Sequence, residues 1–315
     1  MKLSFHIGFA NLSARAYFVA SNKISNLYIN ITEEEIINMS SRLEEKYGDD
    51  AKQVFENLGK NLMNRALGIG LFGAIEAGEN ETVEIKNLTI ENSNIKAGMA
   101  LAQAPIAFTT GEGSFEFTNL NIKTLNLENL SQSEENYCAG IVGMTMGTGN
   151  HIFTECNLND FTIQGGAIVA GLLGGNQQKI DIEISKCNVK ESALETQMLS
   201  AGFIGMSISG IEEGTGICDV RVTESNVIDT DISGYMVAGM VFAMGSENSL
   251  MENCHISNSN IDSLGMTGGL AVIIMGKEEG TKIIGCSSTN NNLKGSGLVG
   301  GLVAGARGKK FEIKD

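Results

Sequence analysis

The sequence predicts a mainly β protein, a right-handed-type β-solenoid of seven to eight coils, and two repeating registers carry that prediction. The first is a small-small-apolar-apolar-small signature that returns six times. Its copies are Ala139-Gly140-Ile141-Val142-Gly143, Ala170-Gly171-Leu172-Leu173-Gly174, Ala201-Gly202-Phe203-Ile204-Gly205, Ala238-Gly239-Met240-Val241, Gly268-Gly269-Leu270-Ala271 and Gly300-Gly301-Leu302-Val303. The second takes Cys187 to Leu194 as template, with its first, third and last positions apolar. Matching segments begin at Leu88, Leu120, Cys156, Cys187, Val220, Cys254 and Cys286, at intervals of 32, 36, 31, 33, 34 and 32 residues. Three residues before each start stands another apolar side chain: Ile85, Phe117, Phe153, Ile184, Ile217, Met251 and Ile283.

A period in the low thirties also fits helical repeats, so the pattern inside each unit arbitrates. Apolar residues step by two, as in Ile182 and Ile184 or Val220 and Val222, and Asn, Gly, Ser and Thr crowd the intervals. That is strand periodicity. Each unit reads as three short strands, one coil of a stack with about 4.8 Å between layers. Counting weaker units near Gly70 and Gly98, the rod is on the order of 35 Å long.

The Ala-Gly-Leu-Leu-Gly and Gly-Gly-Leu-Val-Ala-Gly segments resemble the GLUG-type repeats of bacterial surface and secreted proteins, over roughly residues 66 to 308. The resemblance implies a solenoid used as scaffold or binding surface, of bacterial or phage origin. It carries no catalytic residue to transfer.

Two domains are expected, 1–67 and 68–315. Residues 1–30 form no signal-peptide core, because Ser4, His6 and Gly8 interrupt the first apolar residues. No apolar run approaches the ~20 residues that span a bilayer. Thr32-Glu33-Glu34-Glu35 is a capping box opening a helix over 32–47. A second helix over 49–67 carries the stripe Val54, Phe55, Leu58 and Leu62. The segments Val237 to Met244 and Gly269 to Met275 are apolar at nearly every step, so both their faces need burial. The second helix is expected to cover the outer one, lying along the solenoid axis. Gln103-Ala104-Pro105 and Ser131 to Glu135 are expected to be loops extruded from the coils. Lys309 to Asp315 reads as a charged edge strand that stops end-to-end stacking.

A net charge of −15 disfavours nucleic acid and anionic lipid as partners. The cysteine column Cys156, Cys187, Val220, Cys254 and Cys286 alternates with aliphatic residues, so these thiols are expected to act as small buried hydrophobes. Reduced thiols suit a cytosolic setting, or export by a leaderless route. His6, His151 and His255 open no zinc motif, and no Walker loop is present. No metal or other cofactor is expected. Asp160, Glu191 and Glu224 are aligned as an acidic ladder, the candidate ligand-binding residues. The expected function is a non-catalytic binding or assembly module presenting a solenoid surface to a protein or glycan, as monomer or weak homo-oligomer. The competing class is a carbohydrate-active enzyme using that ladder, since retaining glycosidases need carboxyls about 5–5.5 Å apart.

Overall fold

A computed structural model describes residues 22–25, 28–31, 68–98, 100–130, 136–207, 218–246, 248–276, 280–308 and 310–315. They form a parallel β-solenoid of about seven turns. The helices expected over 32–47 and 49–67, and the loop expected at 131–135, lie outside the described residues.

One turn shows the plan. A first strand, Ile168–Ala170, is followed by a second, Leu173–Asn176, and a third, Asp181–Ser185. A fourth side is made of two short strands, Asn188–Lys190 and Ala193–Glu195. Equivalent strands of successive turns pair in parallel, giving eight-stranded first, second and third sheets and a fourteen-stranded fourth side. The three strands expected per coil become five. The glycine corner splits the Ala-Gly-Leu-Leu-Gly signature between two strands, and a left-handed residue, Glu191 (φ 50), splits the stretch from Cys187 to Leu194.

The Gly register is enforced by backbone contact. A side chain on Gly171 would place its Cβ 2.0 Å from the Gly202 carbonyl, and Gly202 stands in the same relation to Gly239 at 2.2 Å. Into that space runs a hydrogen bond, Gly171 N to Gly202 O at 3.1 Å. The residue before the corner is small because it points into the sharp angle between first and second strands: a Cβ on Gly268 would sit 1.8 Å from the Ala271 carbonyl of its own turn. Gln103, Ala104 and Pro105, expected as an extruded loop, are buried: Gln103 ends the first strand of the second turn, and Ala104 and Pro105 form its corner, with Gly70 packed against the Ala104 carbonyl.

Inside the solenoid, like positions stack. The third sheet runs Ile85, Phe117, Phe153, Ile184, Val222, Met251, Ile283 and Ile313, with the Phe117 and Phe153 rings 4.9 Å apart. The fourth side contributes Ile95, Leu127, Ile163, Leu194, Ile232, Ile261 and Leu293. A second apolar cluster, with Ile168, Leu199, Ala201, Ala238, Phe242, Ala243 and Val272, belongs to the first and second sheets but not to this core. Those two sheets meet so sharply that their outer faces confront one another: a Cβ on Gly205 would meet Ile168 at 2.7 Å. The continuous apolarity of Val237 to Met244 therefore serves two interiors, one on each face.

Register corrects the sequence alignment in one turn. Val220 pairs with Ile182 and Val222 with Ile184, so Val220 does not belong to the cysteine column and Val222, not Ile217, fills the apolar column before it. Asn188 pairs with Asn226, which puts Ser225 beside Cys187. The residues 208–217 lengthen this turn to 38 residues between Cys187 and Ser225, and the next is only 29. The two irregularities nearly cancel, which let Val220 pass for a regular copy.

Overpacking a rigid backbone contact costs about 1–3 kcal/mol or more. Gly202→Ala should therefore lower the unfolding free energy by about 2 kcal/mol or more. Gly301 has no atom within 4 Å of its added Cβ, and Gly301→Ala should be neutral within about 0.5 kcal/mol. Chemical denaturation of the two variants checks this, and equal losses would contradict the stacked-corner geometry.

Candidate functional site

The fourth side is the polar flank of the stack, and its outward residues are set by its corners. Two columns of residues with positive φ run along it. One, ahead of the first short strand, holds Asn87, Asn119, Glu155, Lys186, Glu224, Asn253 and Gly285. The other, between the two short strands, holds Asn92, Thr124, Asp160, Glu191, Asp229, Asn258 and Asn290. Asn, Asp and Gly adopt this conformation at least cost, which accounts for most members.

This separates the expected acidic ladder. Asp160 and Glu191 lie in successive turns of one column, whereas Glu224 lies in the other; the third carboxylate beside Asp160 and Glu191 is Asp229. Asp160 N donates to Lys190 O at 3.1 Å and Glu191 N to Ile228 O at 3.1 Å, which fixes the alignment. All three carboxylates are exposed. Thr124 Oγ1 donates to Asp160 Oδ2 at 3.1 Å, and Lys190 Nζ lies 2.9 Å from Glu191 Oε1. Glu191, then Asp229, raise the Lys190 pKa. Among the described residues no group of three or more His, Cys, Asp or Glu is placed to hold a metal ion.

Between the corner columns runs an amide ladder that the sequence reading did not single out. Asn226 Nδ2 donates to Asn188 Oδ1 at 2.9 Å, and Asn188 Nδ2 to Asn157 Oδ1 at 2.9 Å. His255 continues the same column, facing out, with its Nδ1 2.8 Å from Ser287 Oγ. The recurring Asn before an aliphatic residue (Asn121-Ile122, Asn157-Leu158, Asn188-Val189, Asn226-Val227) was the available signal. It also fixes the register that Val220 obscured.

Just inside the corner, Cys156, Cys187, Cys254 and Cys286 share a column with Ser225, which explains their chemistry better than hydrophobicity alone. Ser225 Oγ donates to Thr223 O at 2.7 Å, and Cys187 Sγ donates to Ser185 O at 3.4 Å, two residues back in each case. Cys254 and Cys286 repeat the bond to Glu252 O and Ile284 O. In these turns the position takes a small donor that satisfies the corner carbonyl; Leu88 and Leu120 hold it in the two turns before. All six cysteines are free. Burial pushes the Cys187 thiol up. Cys286, only half-buried in the last layer, is drawn down to about 7 by its hydrogen bond with Cys254, whose own pKa rises.

His151 is interior. Nδ1–H donates to Gly149 O at 2.9 Å, so Nε2 accepts from Thr109 Oγ1 at 2.7 Å, and the ring stacks on Phe115 with centroids 4.9 Å apart. Burial lowers its pKa to about 4. It is a neutral core residue with both nitrogens used. His6 lies outside the described residues.

No known family, curated protein or solved structure matches this chain.

The thiols give a direct check. Thiolate fraction and access set reactivity, so an aqueous disulfide reagent should label one thiol of the native protein fast, and Cys286→Ser should abolish that phase. Rapid labelling of three or more thiols without denaturant would contradict the buried column.

Proposed function

We propose that this chain is a non-catalytic binding scaffold of bacterial or phage origin, its fourth side presented to a protein or glycan partner. The observation that carries this reading is the Asn157–Asn188–Asn226 ladder: a polar strip with one amide per turn, backed by a close-packed core. Regular amides on a rigid backbone offer paired donors and acceptors that an extended peptide or sugar chain meets without reordering the scaffold. The exposed carboxylates Asp160 and Asp229 fit the same reading, because their positions demand left-handed backbone, for which Asp, like Asn, is suited. The ladder that a carbohydrate-active enzyme would use takes Asp229 in place of Glu224.

A glycan and protein array probed with the full chain tests this. Saturable binding weakened by Asn188→Ala and Asn226→Ala, with no new reducing ends released from bound polysaccharide, is expected. Polysaccharide cleavage lost on Glu191→Gln would overturn it.

The segment 49–67 is proposed, on its apolar stripe, to pack against the outer faces of the first and second sheets. Partly buried apolar side chains packed against the second cluster, Met206, Met236, Met266 and Ile273, support this. In a regular turn the fourth side returns to the first strand through three residues, Thr196 to Met198. Replacing residues 32–67 with a linker of that length should leave a folded chain that aggregates; a soluble, stable monomer would contradict the cover.

A further inference from the structure

Nearly every buried polar side chain in the solenoid is hydrogen-bonded. Among the described residues the exceptions are Asn94 Oδ1, Thr145 Oγ1, Asn176 Oδ1 and Ser200 Oγ. Two of these are neighbours. Thr145 and Asn176 are register partners in successive turns of the second sheet, and both are interior, at 0% and 2% exposed. A hydroxyl and an amide oxygen sealed side by side without partners are costly to the fold, and such pairs in native proteins call for a partner.

They belong to a polar seam inside the corner between the second and third sheets. Thr109, Thr145, Asn176 and Ser207 stand near the end of the second strand in successive turns. His151, Ser249 and Thr281 stand near the start of the third, and all are buried. In the other turns the seam closes on itself. Thr109 Oγ1 lies 2.7 Å from His151 Nε2, and Ser207 Oγ donates to Ala243 O. Ser249 Oγ donates to Gly245 O at 2.6 Å, and Thr281 Oγ1 to Met275 O at 3.0 Å.

Thr145 lacks such a closure because the polar groups around it are engaged elsewhere. His151, in its own turn, reaches back to Thr109 of the turn before and uses its other nitrogen on Gly149 O at 2.9 Å. Asn176, in the turn after, commits its Nδ2 to Gln178 O at 2.8 Å and Cys218 Sγ at 3.2 Å. Gln178 O only accepts, so the amide cannot flip toward Thr145 without losing that bond. Size leaves room at the same place. Later in this column stand Met244 and Ile274, both fully buried and both longer than Thr145 or Asn176. The His151 ring is drawn the other way, toward Thr109 and the Phe115 ring, with centroids 4.9 Å apart.

We propose that this corner is a binding site for one internal water, which accepts the Thr145 hydroxyl proton and donates to Asn176 Oδ1. Two oxygens are too few for a hard cation, which takes about six. They suit a water, which needs about two to four polar partners. The bridge ties together the two turns whose Asn157 and Asn188 bond to one another on the outer flank. It therefore stiffens the solenoid from within beneath that strip, and it does not depend on what the strip binds.

The test uses the full chain. A crystal structure that resolves ordered solvent should show a peak within hydrogen-bonding distance of both Thr145 Oγ1 and Asn176 Oδ1. In solution, water-oxygen magnetic relaxation dispersion should count one long-lived water fewer in Thr145→Val than in the wild type. The urea midpoint of that variant should fall, because valine keeps the shape but leaves the water and Asn176 without the hydroxyl. Thr145→Ser, which keeps the hydroxyl, should keep the water. Thr145 Oγ1 bonded directly to Asn176 Oδ1 or to a backbone carbonyl, with no solvent peak, would overturn the proposal. An unchanged water count in Thr145→Val would do the same, as would a raised midpoint, the result of removing a dry and unpaired hydroxyl. If Thr145→Val does not fold, the solvent peak in the wild type decides alone.

Discussion

At each glycine corner one backbone rests directly on the next, and the rest of the fold depends on that contact. The Gly202 carbonyl lies 2.0 Å from where a Gly171 side chain would begin, and Gly171 N–H bonds to it. Such an approach fixes both layer spacing and register, since a slip of one residue would drive the Ala170 or Leu172 side chain into a carbonyl. With the corners aligned, every other column follows: Phe over Phe in the third sheet, aliphatic over aliphatic in the fourth. The sharp bend also turns the outer faces of the first and second sheets toward each other, which gives their strands a second interior and explains why they alternate so little.

The opposite flank is governed by a different constraint. Two left-handed corner residues per turn kink the fourth side, and the residue after the first kink takes a hydroxyl or thiol to satisfy a carbonyl that the bend leaves over. Cys and Ser both supply that donor, while Leu88 and Leu120 hold the same column without one. The same kinks lock the outward strip between them, where amides stack one per turn. A polar strip of this kind owes its order to the backbone beneath it, so it presents fixed donors and acceptors at little entropic cost on binding.

The corner column was legible in sequence because its constraint is absolute; only Gly or a very small residue fits between stacked carbonyls. The fold class and approximate number of turns follow from it. The fourth-side register was less legible, because apolar alternation is degenerate: Val220 and Val222 satisfy the pattern in two alignments, and only the Asn226-Val227 pair breaks the tie. That degeneracy placed Glu224 with Asp160 and Glu191, where Asp229 stands. The stretched period between Gly98 and Gly140 points to a loop at Gln103 to Pro105, yet Gln103 closes a first-side strand and Ala104 and Pro105 make the corner. The amide ladder escaped notice for the opposite reason, since Asn is common throughout the chain and only its register makes it a surface.

The central claim is that the glycine corners carry an inter-turn hydrogen-bond column. Residue-resolved amide hydrogen exchange measures it directly. The amides of Gly140, Gly171, Gly239 and Gly269, each bonded to the following turn, should exchange only through global unfolding, with a common free energy. Exchange of any of these at the rate of an unstructured chain under native conditions would contradict the stack.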